Sequence, residues 1–210
     1  MKKTLLTLAV ALLGMTALAQ TTEEIISRME AALDAHESEG VIMTVSTKIP
    51  VLGTVTMKTY TLGDKMRSES TLMGVDVITF TDGVTEWTYT PKNNKVKITD
   101  DKSGDSSEEG DVEMFSGITD GYDVNLTKET DDAWYFTCKK QKTNKNKDDP
   151  KTVELVIAKE TYYPMLLKTK MSGVTLILRD IAFGVKEEFV TFDINNYPGA
   201  VVEDARGEKK

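Results

Sequence analysis

The sequence predicts an α+β protein: a strongly curved antiparallel sheet of about eleven strands, an incomplete β-barrel, covered by an N-terminal helix and a short inserted lid helix. Three observations predict it. Short apolar-polar alternations follow one another along the chain, each separated by a Gly, Pro or Asn turn signal, as in an antiparallel meander. A single helical stripe precedes them, and a second, shorter one interrupts them. An open sheet of that many strands tends to curl, and the two helices are the only elements on hand to cover its hollow side.

Lys2 and Lys3 precede an apolar run from Leu5 to Leu18, and Ala17-Leu18-Ala19 has the form of a signal-peptidase site. Residues 1–19 are therefore expected to be a cleaved export signal, and residues 20–210 one domain. No cysteine follows the cleavage site to carry a lipid anchor. No second apolar run is long enough to span a bilayer.

Thr21 and Glu24 have capping-box spacing. Ile25, Met29, Ala32 and His36, flanked by Ile26 and Leu33, form one apolar stripe, so residues 22–39 are expected to be helical, ended by Gly40. From Val41 the period changes to two. Val41, Met43 and Val45 alternate with polar residues; Pro50 and Gly53 mark a turn; Val55 and Met57 alternate onward to Tyr60. Gly63-Asp64 is the next turn, then Lys65–Leu72, Gly74, and Val75–Thr81.

The stretch Ile78–Ile98 gives the plainest local reading. Asp82-Gly83 supplies the positive φ of a tight hairpin. Ile78 and Phe80 alternate before it, Trp87 and Tyr89 after it, which puts one aromatic side on the hairpin. Pro91 and Asn93-Asn94 make the next break. Thr99–Gly110 is acidic and aperiodic, a loop; Val112, Met114, Phe115 and Ile118 then fall at helical spacing. A greasy helix on such a loop fits a lid over the sheet, and fits equally a crossover helix plugging one end. Strands resume at Tyr122–Lys128, Trp134–Lys140, Val153–Ala158, Met165–Met171, Val174–Phe183 and Phe189–Asp193. The tail from Pro198 is polar after Val202. Lys139–Lys151, with six lysines and two aspartates, reads as a solvated hairpin loop or, more sharply, as a basic flap for an anionic membrane surface or an acidic partner.

The formal net charge is −8, and it becomes two units more negative once Lys2 and Lys3 leave. Such a surface argues against nucleic acid. One histidine and one cysteine exclude a His/Cys metal cluster and an internal disulfide. Glycine-rich phosphate loops, dinucleotide fingerprints and nucleophile elbows are absent, so no cofactor and no catalytic residue is expected. His36 and Cys138 sit on apolar stripes and read as packed residues. The carboxylates Asp100, Asp101, Glu108 and Glu109 lie in a loop, a poor frame for acid-base geometry.

What remains is apolar capacity. Eight methionines survive signal removal: Met29, Met43, Met57, Met66, Met73, Met114, Met165 and Met171. Methionine adapts to guests of variable shape, and ordinary core filling explains any single one equally well. The expected lining of a hydrophobic cavity is Met43 and Val45, Val55 and Met57, Met66, Ile78 and Phe80, and Trp87 and Tyr89. Trp134 and Phe136, Leu155 and Ile157, and Leu176 and Leu178 complete it. Met29 and Leu33 from the first helix, with Met114, Phe115 and Ile118, would cover it. An acyl chain of about fifteen methylenes buried there gains roughly 12 kcal/mol before ordering costs.

Three stretches carry a family resemblance. Asp82-Gly83-Val84-Thr85-Glu86-Trp87-Thr88-Tyr89-Thr90-Pro91 is similar to a D-G-x-x-x-W-x-Y-x-P hairpin. Leu155–Lys168 is a strand, a tight turn and a proline before the next strand. Phe189–Asp204 is similar to a terminal F-x-F-x-x-P-x-G-x-x-V-x-D. Together, and in this order, they make the chain resemble the periplasmic carriers of outer-membrane lipoproteins, the LolA family and its wider LolA/LolB-like superfamily. The resemblance implies a curved open barrel holding acyl chains, in a periplasmic monomer that receives a lipoprotein from an inner-membrane transporter and passes it to an outer-membrane receptor. It also implies an arginine that latches the lid, with Arg67 as counterpart. Two other functions compete: a sensing module of the same fold that reads lipid or misfolded protein, and a cell-envelope hydrolase using His36 and Cys138.

Overall fold

The computed structural model describes residues 20–50, 53–101, 117–147 and 149–207. The expected export signal, Met114 and Phe115 of the expected lid, and most of the acidic loop lie outside the described residues.

The capping box forms as the spacing requires. The Thr21 side chain accepts from the Glu24 amide, and the Glu24 carboxylate accepts from the Thr21 amide. Helix α1 runs Thr22–Asp34 and not to residue 39; a 3-10 turn, Glu37–Glu39, follows. The helix stops early because its apolar stripe stops at Leu33. Beyond that, His36 leaves the stripe to stack on Phe183, with ring centroids 5.1 Å apart. Gly40 then turns the chain at φ 73°, ψ 162°, a region open almost only to glycine.

The strands are β1 Val41–Ile49, β2 Gly53–Leu62, β3 Lys65–Leu72, β4 Val75–Thr81, β5 Thr85–Thr90 and β6 Lys95–Asp100. Then come β7 Tyr122–Glu129, β8 Ala133–Lys140, β9 Thr152–Ala158, β10 Pro164–Met171, β11 Val174–Phe183 and a short β12, Val201–Asp204. They form one curved, open sheet in the order β12-β6-β5-β4-β3-β2-β1-β11-β10-β9-β8-β7, an incomplete barrel with β7 and β12 at its edges. The Ile78–Ile98 region is strand, turn, strand, turn, strand. Gly83 has φ 82°, and the Asp82 carboxylate accepts from the amides of Val84 and Thr85.

Two parts differ from expectation. Phe189–Asp193 is not a strand. Helix α2, Glu187–Val190, occupies its start, with the Thr191 hydroxyl donating to the Glu187 carbonyl. Phe189 and Phe192 are three residues apart, and a helical turn brings both rings to one side, where an extended chain would split them. The tail supplies the twelfth strand, and it pairs parallel to β6, from Val201 opposite Lys95 to Asp204 opposite Ile98.

Residues paired across an antiparallel ladder share a face, and the register through β1 to β6 is unbroken. One face carries Met43, Thr59, Ser68, Thr79 and Thr88 in a row. The other carries Ile42, Tyr60, Arg67, Phe80, Trp87 and Ile98. Helix α1 packs on the first, inner face. Its Ile25, Ile26, Met29 and Leu33 join Met43, Phe136, Leu155 and Leu178 in the main core.

Candidate functional site

The inner face is divided in two by α1. Over β8–β11 and β1 it is filled. Met43, Trp134, Phe136, Leu155, Ile157 and Leu178 are buried in the core around the helix, with Val45 and Leu176 packed against its margin. Of the expected cover, Met29 and Leu33 are part of this core, and Ile118 packs on it from the turn before β7. Over β2–β4 the same face presents Val55, Met57, Met66 and Val77, each partly exposed and none a member of that core. Threonines and serines sit between them. Thr59 and Thr61 are buried, and Ser68 and Ser70 are partly so.

The other four expected lining residues, Ile78, Phe80, Trp87 and Tyr89, stand on the outer face. Their cover is the chain's own C-terminal segment. Phe192 stacks on Trp87 at 5.4 Å and 10° and meets Phe80 edge-on at 5.7 Å. Tyr197 stacks on Phe192 at 5.6 Å and packs on Tyr89 at 4.3 Å. Phe189 meets Tyr60 at 4.6 Å. Burial raises the Tyr197 phenol above its usual pKa, with the Arg67 charge working against that rise. Ion pairs pin the segment along its length: Lys65 with Glu187 at 2.6 Å, and Lys95 with Glu203. The Gly207 amide donates to the Asp100 carboxylate at 2.8 Å.

Arg67 lies beneath this segment. Its guanidinium sits 4.1 Å from the Phe189 ring centroid and 5.2 Å from that of Phe80, and its Nη2 pairs with Glu69 at 2.6 Å. Its Nε is buried and has no hydrogen-bond partner among the described residues. Among the described residues it therefore fastens the C-terminal cover on the outer face. Beside it opens a cavity of about 550 Å³ lined by Lys58, Arg67, Glu69 and Asp76, balanced in charge, together with the apolar Val77 and Ile78.

Sequence reasoning misses Phe192 and Tyr197. The available signal is the three-residue spacing of Phe189 and Phe192 ahead of Tyr197-Pro198-Gly199, and a period of two drawn through Phe189–Asp193 hides it. Cys138 is buried in the inner core, and desolvation pushes its thiol up to about 11, far from a thiolate nucleophile at neutral pH. His36 takes Tyr163 Oη at 2.5 Å and Glu39 at 2.9 Å. Neither geometry activates the other group. No group of three or more His, Cys, Asp or Glu side chains among the described residues is placed to hold a metal.

As a class, then, this is an open-barrel sheet protein with a helix packed inside the curl and a terminus strapped outside it. No protein-family model matches the chain, and comparison with curated proteins finds no relative. Solved structures do match. An uncharacterised conserved protein from Thermus thermophilus is similar at 18% identity and TM-score 0.44, over 88% of this chain and 99% of that one. LprF from Mycobacterium bovis is similar at 7% identity and TM-score 0.49, over 79% and 95%. A LolA superfamily protein from Nitrosomonas europaea is similar at 12% identity and TM-score 0.31, over 83% and 99%. One of these structures carries the superfamily name that the sequence resemblance reached. At these values function rests on the chain's own residues.

Proposed function

We propose that the protein is a periplasmic carrier that shelters the acyl chains of lipoproteins or related lipids against the inner face of its curved sheet, and that it is not an enzyme. One observation carries this reading. The inner face over β2–β4 keeps Val55, Met57, Met66 and Val77 partly exposed, while over β1 and β8–β11 that face is closed by α1. Apolar side chains interleaved with threonine suit a guest that is oily and slides, because dispersion and water release do not depend on direction. Met57 and Met66 are unbranched and can repack around chains of different length. Delivery from an inner-membrane transporter to an outer-membrane receptor belongs to the same proposal, as does export by cleavage after Ala19.

The test uses the mature chain purified without detergent and titrated with a fluorescent fatty acid. The wild type is expected to bind it, and Met57→Glu with Met66→Glu to weaken binding at least tenfold, because two charges would have to be desolvated against the chain. Phe192→Ala, on the opposite face, should leave the affinity within about twofold, since a substitution that touches neither guest nor lining adds little. Absence of binding to any acyl probe, with no lipid found by mass spectrometry in protein isolated from its native envelope, would overturn the proposal.

A further inference from the structure

The basic loop after β8 is not used by the acyl site, and its place in the fold gives it a partner. In β1, Lys48 lies opposite Thr54 of β2 and opposite Thr175 of β11, so the β1–β2 and β10–β11 turns meet at one end of the sheet. The β3–β4 turn and the β8–β9 loop share that end, because the strands alternate in direction without a break. This end gathers two features.

The first is a cavity of about 450 Å³ between the β8–β9 loop and the β10–β11 turn. Lys147, Lys151 and Lys170 border it, with Ser172 and the Met171 side chain. None of the three lysines has an ion pair among the described residues. Among the described residues Asp149 is the acid at the cavity, and its two carboxylate oxygens accept from the side-chain amides of Asn144 and Asn146, each at 2.7 Å. Lys140 is spent on loop carbonyls, bracing the loop from within. The second feature is exposed apolar tips. Met73 is fully solvent-exposed at φ 51°, Leu72 is 45% exposed and Met171 42%. The positive φ of Met73 and Gly74 is that of a tight hairpin turn; what sets this tip apart is an apolar side chain wholly in water, close in sequence to the exposed Leu72.

We propose that this end of the sheet docks on an anionic lipid surface, with Lys147, Lys151 and Lys170 seating headgroup phosphates and Met73 and Met171 entering the layer beside them. Charge complementarity is local. A surface potential fades within a Debye length of about 8–10 Å, so the chain's overall negative charge does not forbid contact through one basic end; it orients the approach. Methionines at two turns of this end, one on each side of the β1–β2 turn, supply apolar area that lysines alone lack. The proposal stands apart from the acyl reading, because it uses turns and not the inner face.

The mature chain is sedimented with vesicles of phosphatidylglycerol mixed into phosphatidylcholine, and with vesicles of phosphatidylcholine alone. The wild type is expected to follow the mixed vesicles and to be released by raised salt. K147E/K151E/K170E should lose on the order of a hundredfold in partition, about fivefold for each lysine removed. M73S/M171S should lose several-fold. A control reversing the exposed Lys97, Lys128 and Lys186, none of which borders the cavity or sits in the turns beside it, should keep wild-type partition at equal net charge. Fatty-acid binding by K147E/K151E/K170E should match the wild type, which also shows that the variant folds. Equal partition to both vesicle types, or wild-type partition by K147E/K151E/K170E, overturns the proposal. So does calorimetric binding of inorganic phosphate at these lysines without any vesicle binding, because the site would then serve a free anion.

Discussion

Phe192→Ala should loosen the outer strap without dissolving the inner core. Phe192 meets three rings: Trp87 stacked at 5.4 Å, Tyr197 stacked at 5.6 Å and Phe80 edge-on at 5.7 Å. A fully buried Phe→Ala change costs about 3–5 kcal/mol. Phe192 is only partly buried, so its transfer share falls to roughly 1–1.5 kcal/mol. Its aromatic pairs contribute about 0.5–1.5 kcal/mol each at best and are not additive. The expected loss is therefore about 2–3 kcal/mol, and about 1 kcal/mol for Phe192→Leu, which keeps bulk and loses the ring stack. Trp87 reports it directly. In a Trp134→Phe background, its emission should move to the red at lower urea than the far-ultraviolet signal of the sheet, because the strap leaves first. Combining Phe192→Ala with Trp87→Leu should cost less than the sum of the two, by about 0.5–1.5 kcal/mol. A loss under about 0.5 kcal/mol, the size of an ordinary surface substitution, would refute the packing described for the C-terminal segment.

Acid should release the same segment. Lys65 lowers the Glu187 pKa, Lys95 lowers that of Glu203, and hydrogen bonds from Arg206 hold Asp204 down at about 2. Groups with depressed folded values stabilise above the ordinary carboxylate range and lose that contribution as pH falls; the Lys65–Glu187 and Lys95–Glu203 pairs are the ones that tie the segment to the sheet, so Trp87 emission should shift as pH falls below about 4. Glu30 works in the opposite sense, raised by burial and by Asp120 and Asp34, so the α1 side should respond less; an unchanged Trp87 signal across the window would count against the ion pairs. Gly40→Ala should cost about 2–4 kcal/mol, because the backbone conformation is glycine-only and a Cβ would lie 2.4 Å from the Thr61 carbonyl oxygen. A thermal midpoint equal to wild type would contradict that. Cys138 should resist a thiol reagent in the native protein near pH 8 and react at once in denaturant; rapid native labelling would mean that α1 opens easily.

How far the sequence can be read follows from what covers each face. Alternation locates a strand and its apolar side, and it does so for Ile78–Ile98, where Phe80 pairs with Trp87 and Ile78 with Tyr89. It cannot say which way that side points. In a sheet covered on one face only, every apolar stripe points the same way, and Phe80 and Trp87 would line the hollow with Phe136 and Leu155. Here both faces are covered, the inner one by α1 and the outer one by the C-terminal strap, so two apolar stripes of opposite sense coexist in one sheet. The strap is what makes the hairpin's aromatic side an outer one, and the strap is the hardest part to read. Its helix is a single turn, and its strand of four exposed residues, Val201–Asp204, is placed by backbone pairing to β6 and not by a hydrophobic pattern. Arg67 shows the consequence. Its partner cannot be named until the register fixes its face. The unbroken ladder from Tyr60 through Arg67 to Phe80 puts it under Phe189, on the far side of the sheet from Met57 and Met66. Loosening the strap should therefore leave acyl binding intact, and only an inner-face substitution should disturb it.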